Sequence, residues 1–238
     1  MTRRVPAQRR SRKRVEQMLH AAAELLAEGG VDALTMRSLA ERTEIPIATI
    51  YRYFANRDAI IAAYLEHDLQ EIQESLRTAL LGTDTVTFRS AVRAVLLAHL
   101  RYHQSHPESV PVWFGGRLNP VVASTVRELD NRLAASWRAA LKATGMLRVT
   151  PEFNAELLVN LCDRMFEYVF ERPREPAEQE DIVLSFLDMI ADHMEHFATP
   201  IGREGVPARH LLLALADQPD GNRQTVATSA EAAVAESA

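Results

Sequence analysis

The 238-residue chain has one cysteine, two tryptophans and nine glycines, and aromatic residues make up only 6% of it. A lone thiol, Cys162, cannot close a disulfide within the chain or build a cysteine-based zinc site, which fits a reducing compartment. No apolar run approaches the roughly 18 residues that a membrane-spanning helix needs. The basic N-terminus leads into a segment carrying Glu16, Glu24 and Glu28, not into an apolar stretch, so no secretory signal is expected. Neither a Gly-rich phosphate loop nor a Gly-x-Ser-x-Gly elbow is present. Cys162 lies in an apolar stretch with no obvious histidine partner, so a buried structural role is expected for it. The expectation from these absences is a cytoplasmic protein that is not an enzyme, carries no cofactor and has no membrane partner. What is present is ordinary for a globular chain of one or two domains: 47% hydrophobic and 25% charged residues.

Charge is unevenly placed. Residues 1–14 contain seven basic side chains (Arg3, Arg4, Arg9, Arg10, Arg12, Lys13 and Arg14) and no acid. Residues 1–58 hold 11 basic and 7 acidic side chains, a net of +4, and the rest holds 16 and 25, a net of −9. A basic first quarter on an acidic body points to a polyanion partner for that quarter, the alternative being a disordered arm that only aids solubility.

The periodicity is helical nearly throughout, with no convincing strand and no internal repeat. Val15, Met18, Leu19, Ala22, Leu25 and Leu26 follow an amphipathic pattern that Gly29-Gly30 ends. Thr35 caps a short second helix, and a third covers Ile47 to Phe54. Asn56 caps a fourth over about 57–80, with Ile60, Ile61, Tyr64, Leu65, Leu69, Ile72 and Leu76 on one side. Further helices are expected at about 86–104, 120–144, 152–171 (opened by Thr150-Pro151-Glu152), 177–197 and 208–216. Pro107, Pro111 and Gly115-Gly116 break the stretch between. The Ala/Ser/Thr-rich end from Gln218 reads as disordered. The domain expectation is a basic disordered arm (1–10), a DNA-binding domain (11–58), a larger helical domain (59–217) and a disordered tail (218–238).

Residues 35–57 are the informative segment. Two helices of about seven residues are too short to stand alone and need a third to pack on, which 11–29 supplies. Leu39, Ala40, Ile45, Ile50 and Phe54 would form the buried seam. That turns Ile47, Ala48, Thr49, Tyr51, Arg52 and Tyr53 towards solvent. An exposed isoleucine and two tyrosines interleaved with arginine suit a groove-reading face, as in a helix-turn-helix.

Over about residues 11–60 the sequence resembles the TetR family of bacterial transcriptional regulators. The resemblance rests on Thr49-Ile50-Tyr51-Arg52-Tyr53-Phe54 followed by Asn56-Arg57, and on Thr35-Met36-Arg37-Ser38-Leu39-Ala40. It implies an all-α fold, with a three-helix helix-turn-helix domain ahead of a larger ligand-binding and dimerisation domain. It further implies phosphate contacts at Thr49, Tyr51, Tyr53 and Arg57, with Thr35 suited to the same task, and base-edge contacts at Arg37, Ile47, Ala48 and Arg52. Arg37 and Arg52 contacting phosphates alone is the alternative. Arg9, Arg10, Arg12 and Lys13 would form an arm towards the minor groove or backbone. Two positions depart from the family pattern. Thr43-Glu44 replaces Ala-Gly at the turn, and Glu44 lacks glycine's freedom at positive φ, which predicts a strained or differently shaped turn. Pro46 replaces a serine cap.

The resemblance also implies a homodimer through about 152–171 and 177–197. The stripes there are wide: Phe153, Leu157, Leu158, Leu161, Met165, Phe166, Val169 and Phe170, then Ile182, Val183, Phe186, Leu187, Ile190, Met194 and Phe197. That width suits burial on two sides, a monomeric core being the alternative. A small-molecule pocket is implied between the middle helices, with His99, Tyr102, His103, Trp113, Phe114, Trp137, Cys162, Phe166 and Phe170 as candidate lining for a hydrophobic or aromatic effector. The 107–116 segment reads as pocket wall. His99, His103 and His106 have metal-like spacing, but no nearby cysteine or carboxylate completes a site, so no metal is expected. The expected function is a repressor released from a palindromic double-stranded operator by a small molecule. The alternative is a constitutive or non-specific DNA-binding protein without an effector.

Overall fold

A computed structural model describes residues 4–115, 119–148 and 155–216, with side chains from Ser11 onward. The expected helix start at Thr150-Pro151-Glu152, Phe153, Gly116 and the tail from Gln218 lie outside these residues. The helices run α1 Arg4–Ala33, α2 Met36–Thr43, α3 Ile47–Tyr51, α4 Arg57–Leu81, α5 Phe88–Ser105, α6 Pro120–Ala143, α7 Ala155–Phe170, α8 Pro176–Met194, α9 Pro200–Glu204 and α10 Ala208–Ala216. A 3₁₀ turn at Pro107–Ser109 and a π-helical turn at Pro111–Gly115 stand where the prolines predicted a break.

Side-chain caps fix several of the starts. The Thr35 hydroxyl accepts from the Ser38 N–H at 2.9 Å, while the Ser38 hydroxyl accepts from the Thr35 N–H at 2.9 Å. Thr87 and Ser90 repeat this at the head of α5. The Asn56 side chain accepts from the Ala59 N–H at 2.9 Å and opens α4. At its far end α7 is closed by Arg174, whose Nη1 donates to the carbonyls of Tyr168 and Val169 at 2.7 and 2.9 Å.

Three features differ from the sequence expectation. The chain is already helical at Arg4, inside the stretch read as a disordered arm, because arginine, glutamine and alanine all favour helix and Pro6 sits in the first turn, where its missing N–H costs nothing. Helix α3 ends at Tyr51, not at Phe54. A two-residue antiparallel pair, β1 Thr85–Val86 with β2 Val206–Pro207, was invisible because two residues carry no alternation signal. Gly205, at φ 101°, permits that pair: a Cβ there would lie 2.5 Å from the Thr85 side chain. The expected end of the first helix at Gly29-Gly30 appears as a sharp kink, with Gly30 at φ 66°.

The chain divides into two compact units. The first joins the residues up to Asp68 with Glu108–Thr125, and the second joins Leu69–Pro107 with the chain from Val126. The first division therefore falls within α4, which nothing local interrupts. In the first unit, Met18, Leu19, Ala22, Leu25 and Leu26 of α1 meet Leu39, Ile50, Phe54, Ile60 and Ile61 in one core. In the second unit α5 packs on α8. Gln104 of α5 donates to the Gln179 side-chain oxygen at 2.9 Å, and Arg89 pairs with Asp188 at 2.7 Å and with Asp192 and Glu195 at 3.3 Å.

Candidate nucleic-acid interface

The interface is built by burying one side of three short segments. Leu39, Ile50 and Phe54 are buried, with Ala40 and Ile45 half-buried beside them, as the seam predicted. The turn that joins α2 to α3 is held from both sides. Thr43 is buried, its hydroxyl donating to the Leu39 carbonyl at 2.7 Å and accepting from the Ile45 N–H at 3.3 Å, while Gln17 of α1 donates to the Thr43 carbonyl at 3.0 Å. Those bonds hold Glu44 in the left-handed region at φ 57°, the strained conformation that the missing glycine predicts. Pro46 precedes α3 without a side-chain cap, and its carbonyl accepts from the Thr49 N–H at 2.7 Å.

Opposite the seam lies the candidate reading face. Ile47 is 43% exposed and Tyr51 54%, and Ala48 and Arg52 are exposed with them. Thr49 and Tyr53 are half-buried. The head's arginines are not equivalent. Among the described residues the Arg52 side chain makes no hydrogen bond or ion pair. Arg37 reaches Glu41 one turn on, Nε to Oε1 at 2.9 Å, which leaves its two terminal nitrogens for another acceptor. Arg57 lies 3.5 Å from Asp58 and donates to the Val31 carbonyl at 3.4 Å. Arg42 is held between Glu24 and Glu28, and its hydrogen bonds push the Glu28 carboxyl below its ordinary range. Local carboxylates thus largely offset its charge, which makes it a tie between α1 and α2.

Sequence reasoning missed two residues. Ser11 places its hydroxyl 3.4 Å from the Tyr53 hydroxyl, joining the start of α1 to the end of the reading segment. Asp68, 1% exposed, accepts from the Trp113 indole N–H at 2.9 Å. Its signal was a carboxylate in register with Tyr64 and Ile72 on the apolar stripe of α4.

That bond changes the reading of the 107–116 segment. Trp113 is buried within the first unit, where the π-helical turn packs on α1 and Asp68 anchors the indole. Phe114 belongs to the same unit, and the other seven pocket candidates belong to the second. There His99 stacks on Phe166 at 5.8 Å between ring centres, and His103 meets Phe170 edge-on at 5.7 Å. Burial lowers the affinity of both imidazoles for a proton, that of His103 down to about 3, and pushes the Cys162 thiol up to about 12. These groups are therefore neutral at physiological pH. His106 stacks on Tyr102 at 4.4 Å, and His103 meets the same ring edge-on at 5.4 Å. Trp137 is half-buried on α6.

Among the described residues no helix is long and apolar enough to cross a membrane. Residues 18–64 match the pattern of the family described as bacterial regulatory proteins, tetR family. The transcriptional repressor KstR of Mycolicibacterium smegmatis is 35% identical over 77 residues, which are 32% of this chain and 36% of that protein. The chain thus spans about a third of the length of the KstR relatives it matches. A TetR-family regulator from Syntrophomonas wolfei has a similar fold, with a TM-score of 0.63 and 14% identity over 76% of this chain and 96% of that one. The regulator FadR from Bacillus subtilis, solved in complex with stearoyl-CoA, gives 0.55 and 16% over 72% and 96%. The matched proteins are transcriptional regulators, not enzymes.

Proposed function

We propose that this chain, whose residues 18–64 match the tetR family of bacterial regulatory proteins, is a homodimeric repressor that reads a palindromic operator and is released by a small hydrophobic or aromatic effector. The observation that carries this reading is the exposed face of α3, where Ile47, Ala48, Tyr51 and Arg52 stand in water over a buried Ile50. In this reading Arg52 and Arg37 supply the bidentate hydrogen bonds that recognise guanine. Ile47 and Ala48 touch thymine methyls, and Thr35, Thr49, Tyr51, Tyr53 and Arg57 hold phosphates. The arrangement of Arg37 supports the first role, since Glu41 engages Nε alone.

The dimer reading is supported by what a single copy leaves bare. Helix α7 buries Met165, Phe166 and Val169 but exposes Leu157, Leu161 and Tyr168. Helix α8 buries Val183, Leu187 and Ile190, exposes Met189, and leaves Ile182 and Phe186 half-covered. A second apolar face on each helix fits a four-helix bundle between two copies. The effector reading rests on the ring pairs His99–Phe166 and His103–Phe170 of the second unit, and on a protein of similar fold having been solved with stearoyl-CoA.

Selection of duplexes from a random library tests the proposal. Wild-type protein is expected to enrich an inverted repeat, and Arg52→Ala to make one base pair per half-site degenerate, a loss of roughly 1–3 kcal/mol of discrimination. An unchanged motif in both Arg52→Ala and Arg37→Ala would contradict the base-reading role.

A further inference from the structure

Helix α2 sets Arg37 and Glu41 one turn apart on a single face, and they meet through one bond, Arg37 Nε donating to Glu41 Oε1 at 2.9 Å. Stability does not account for this pair. The two side chains are 85% and 66% exposed, where an ion pair contributes little. Arginine ahead of glutamate is the weaker order on a helix, and Glu41 lies in the last turn, where the macrodipole disfavours a carboxylate. An anionic side chain also repels the phosphates of a duplex. On a DNA-reading head Glu41 is unfavourable on each of these counts, which points to its effect on Arg37.

That effect follows from which nitrogen is engaged. The guanidinium is planar, so a bond on Nε restrains the rotation of the whole plane at the end of the side chain. Nη1 and Nη2 are left as a forward edge, a fork that the O6 and N7 of guanine accept as a pair. An arginine without such a bond gives up more rotamer freedom on docking and can turn to a phosphate instead. Arg52 is that second case: it is exposed and, among the described residues, its side chain makes no hydrogen bond or ion pair. The carboxylate also offsets the charge of Arg37. That weakens its pull on phosphates but leaves its terminal donors for a base edge.

We propose that Glu41 is a specificity-determining positioning residue, which presents the terminal edge of Arg37 to a guanine and discourages it from phosphates. The proposal deepens the DNA-reading function above and rests on it. Arg37 is then the stringent reader of the head and Arg52 the adaptable one.

The test compares the wild-type chain with Glu41→Ala, Glu41→Gln and Arg37→Ala. Each is put through selection from a random duplex library, and the selected duplex and a scrambled one are titrated across salt concentrations. Ala and Gln favour helix and both sites are exposed, so the variants keep the fold. In Glu41→Ala, discrimination at the base pair read by Arg37 is expected to fall about tenfold, out of the roughly 5- to 150-fold that a bidentate contact carries. Affinity for the scrambled duplex is expected to rise, with a salt slope steeper by up to about 0.9 per head, as a charge no longer offset engages a phosphate. Glu41→Gln keeps an oxygen for Nε without the charge. It is expected to restore most of the base preference while keeping the steeper slope, a split that a merely structural role would not produce. An unchanged base preference in Glu41→Ala would overturn the proposal, as would a loss in Glu41→Gln as complete as in Glu41→Ala. Arg37→Ala separates that failure from failure of the underlying reading. If Arg37→Ala shifts the motif and Glu41→Ala does not, only the positioning role falls. If Arg37→Ala weakens both duplexes equally and leaves the motif intact, Arg37 is a phosphate contact and its base-reading role falls as well. If the wild-type chain selects no duplex, the DNA-reading function itself falls.

Discussion

The helix-turn-helix head and the α5–α8 body solve opposite surface problems. In the head, two helices of eight and five residues are held by a capping box, a buried threonine and a glutamine bond, and the face left in water is aromatic and cationic. In the body, helices of 16 to 19 residues pack along their inner faces, and the face left in water includes Leu157, Leu161 and Met189. A surface of tyrosine and arginine suits a hydrated polyanion, whereas a contiguous apolar helix face suits another apolar face. In the proposed reading the first surface meets DNA and the second meets another copy of the chain.

The contrast breaks most completely if the body's outer face is made polar. Phe186→Asp, which would bury an unpaired charge in a dry interface, is expected to abolish dimers at micromolar concentration and with them tight operator binding. Sedimentation that still finds dimers would show that the faces of α7 and α8 do not pair. A smaller effect is expected in the first unit. Trp113→Phe keeps most of the packing but deprives the buried Asp68 of a donor, so chemical denaturation should show a loss of about 1–3 kcal/mol. A loss below about 0.5 kcal/mol would mean that Trp113 acts by shape alone.

The body carries a pH signature of its own. His103 binds a proton in the unfolded chain near its ordinary value of 6.5, but in the fold only near 3. Between those values the unfolded state holds more protons, so acidification favours unfolding, by at most about 1.4 kcal/mol per pH unit. Above 6.5 this contribution is constant. Between pH 6.5 and 5.5, His103→Gln should lose less stability than wild type, and equal losses would place the acid sensitivity elsewhere. The smallest effect belongs to the turn. Glu44→Gly should stabilise the protein by about 0.5–1 kcal/mol, relief of the left-handed backbone outweighing glycine's extra freedom when unfolded. Destabilisation would mean that the Glu44 side chain contributes more than its backbone costs.

Local chemistry explains which features could be read from the sequence. Thr35, Asn56, Glu44 and the Leu39–Ile50–Phe54 seam declare themselves because caps, positive φ and helical spacing act within a few residues. The Trp113–Asp68 bond, the Ser11–Tyr53 approach and the β1–β2 pair join residues more than 40 positions apart, and only folding brings them together. Arg42 shows the same limit at the interface. In sequence it is one more arginine of the basic quarter, and in the fold Glu24 and Glu28 occupy it. The start of α1 is hard to read from sequence because a run of like charge signals a solvated arm, while the intrinsic helix preference of arginine, glutamine and alanine points the other way.

The central claim is that a paired body carries two reading heads to one site. Native mass spectrometry of the protein on its selected duplex tests this directly. The account predicts chains bound in twos on a duplex whose enriched sequence is an inverted repeat. A single chain bound to an asymmetric sequence would contradict it.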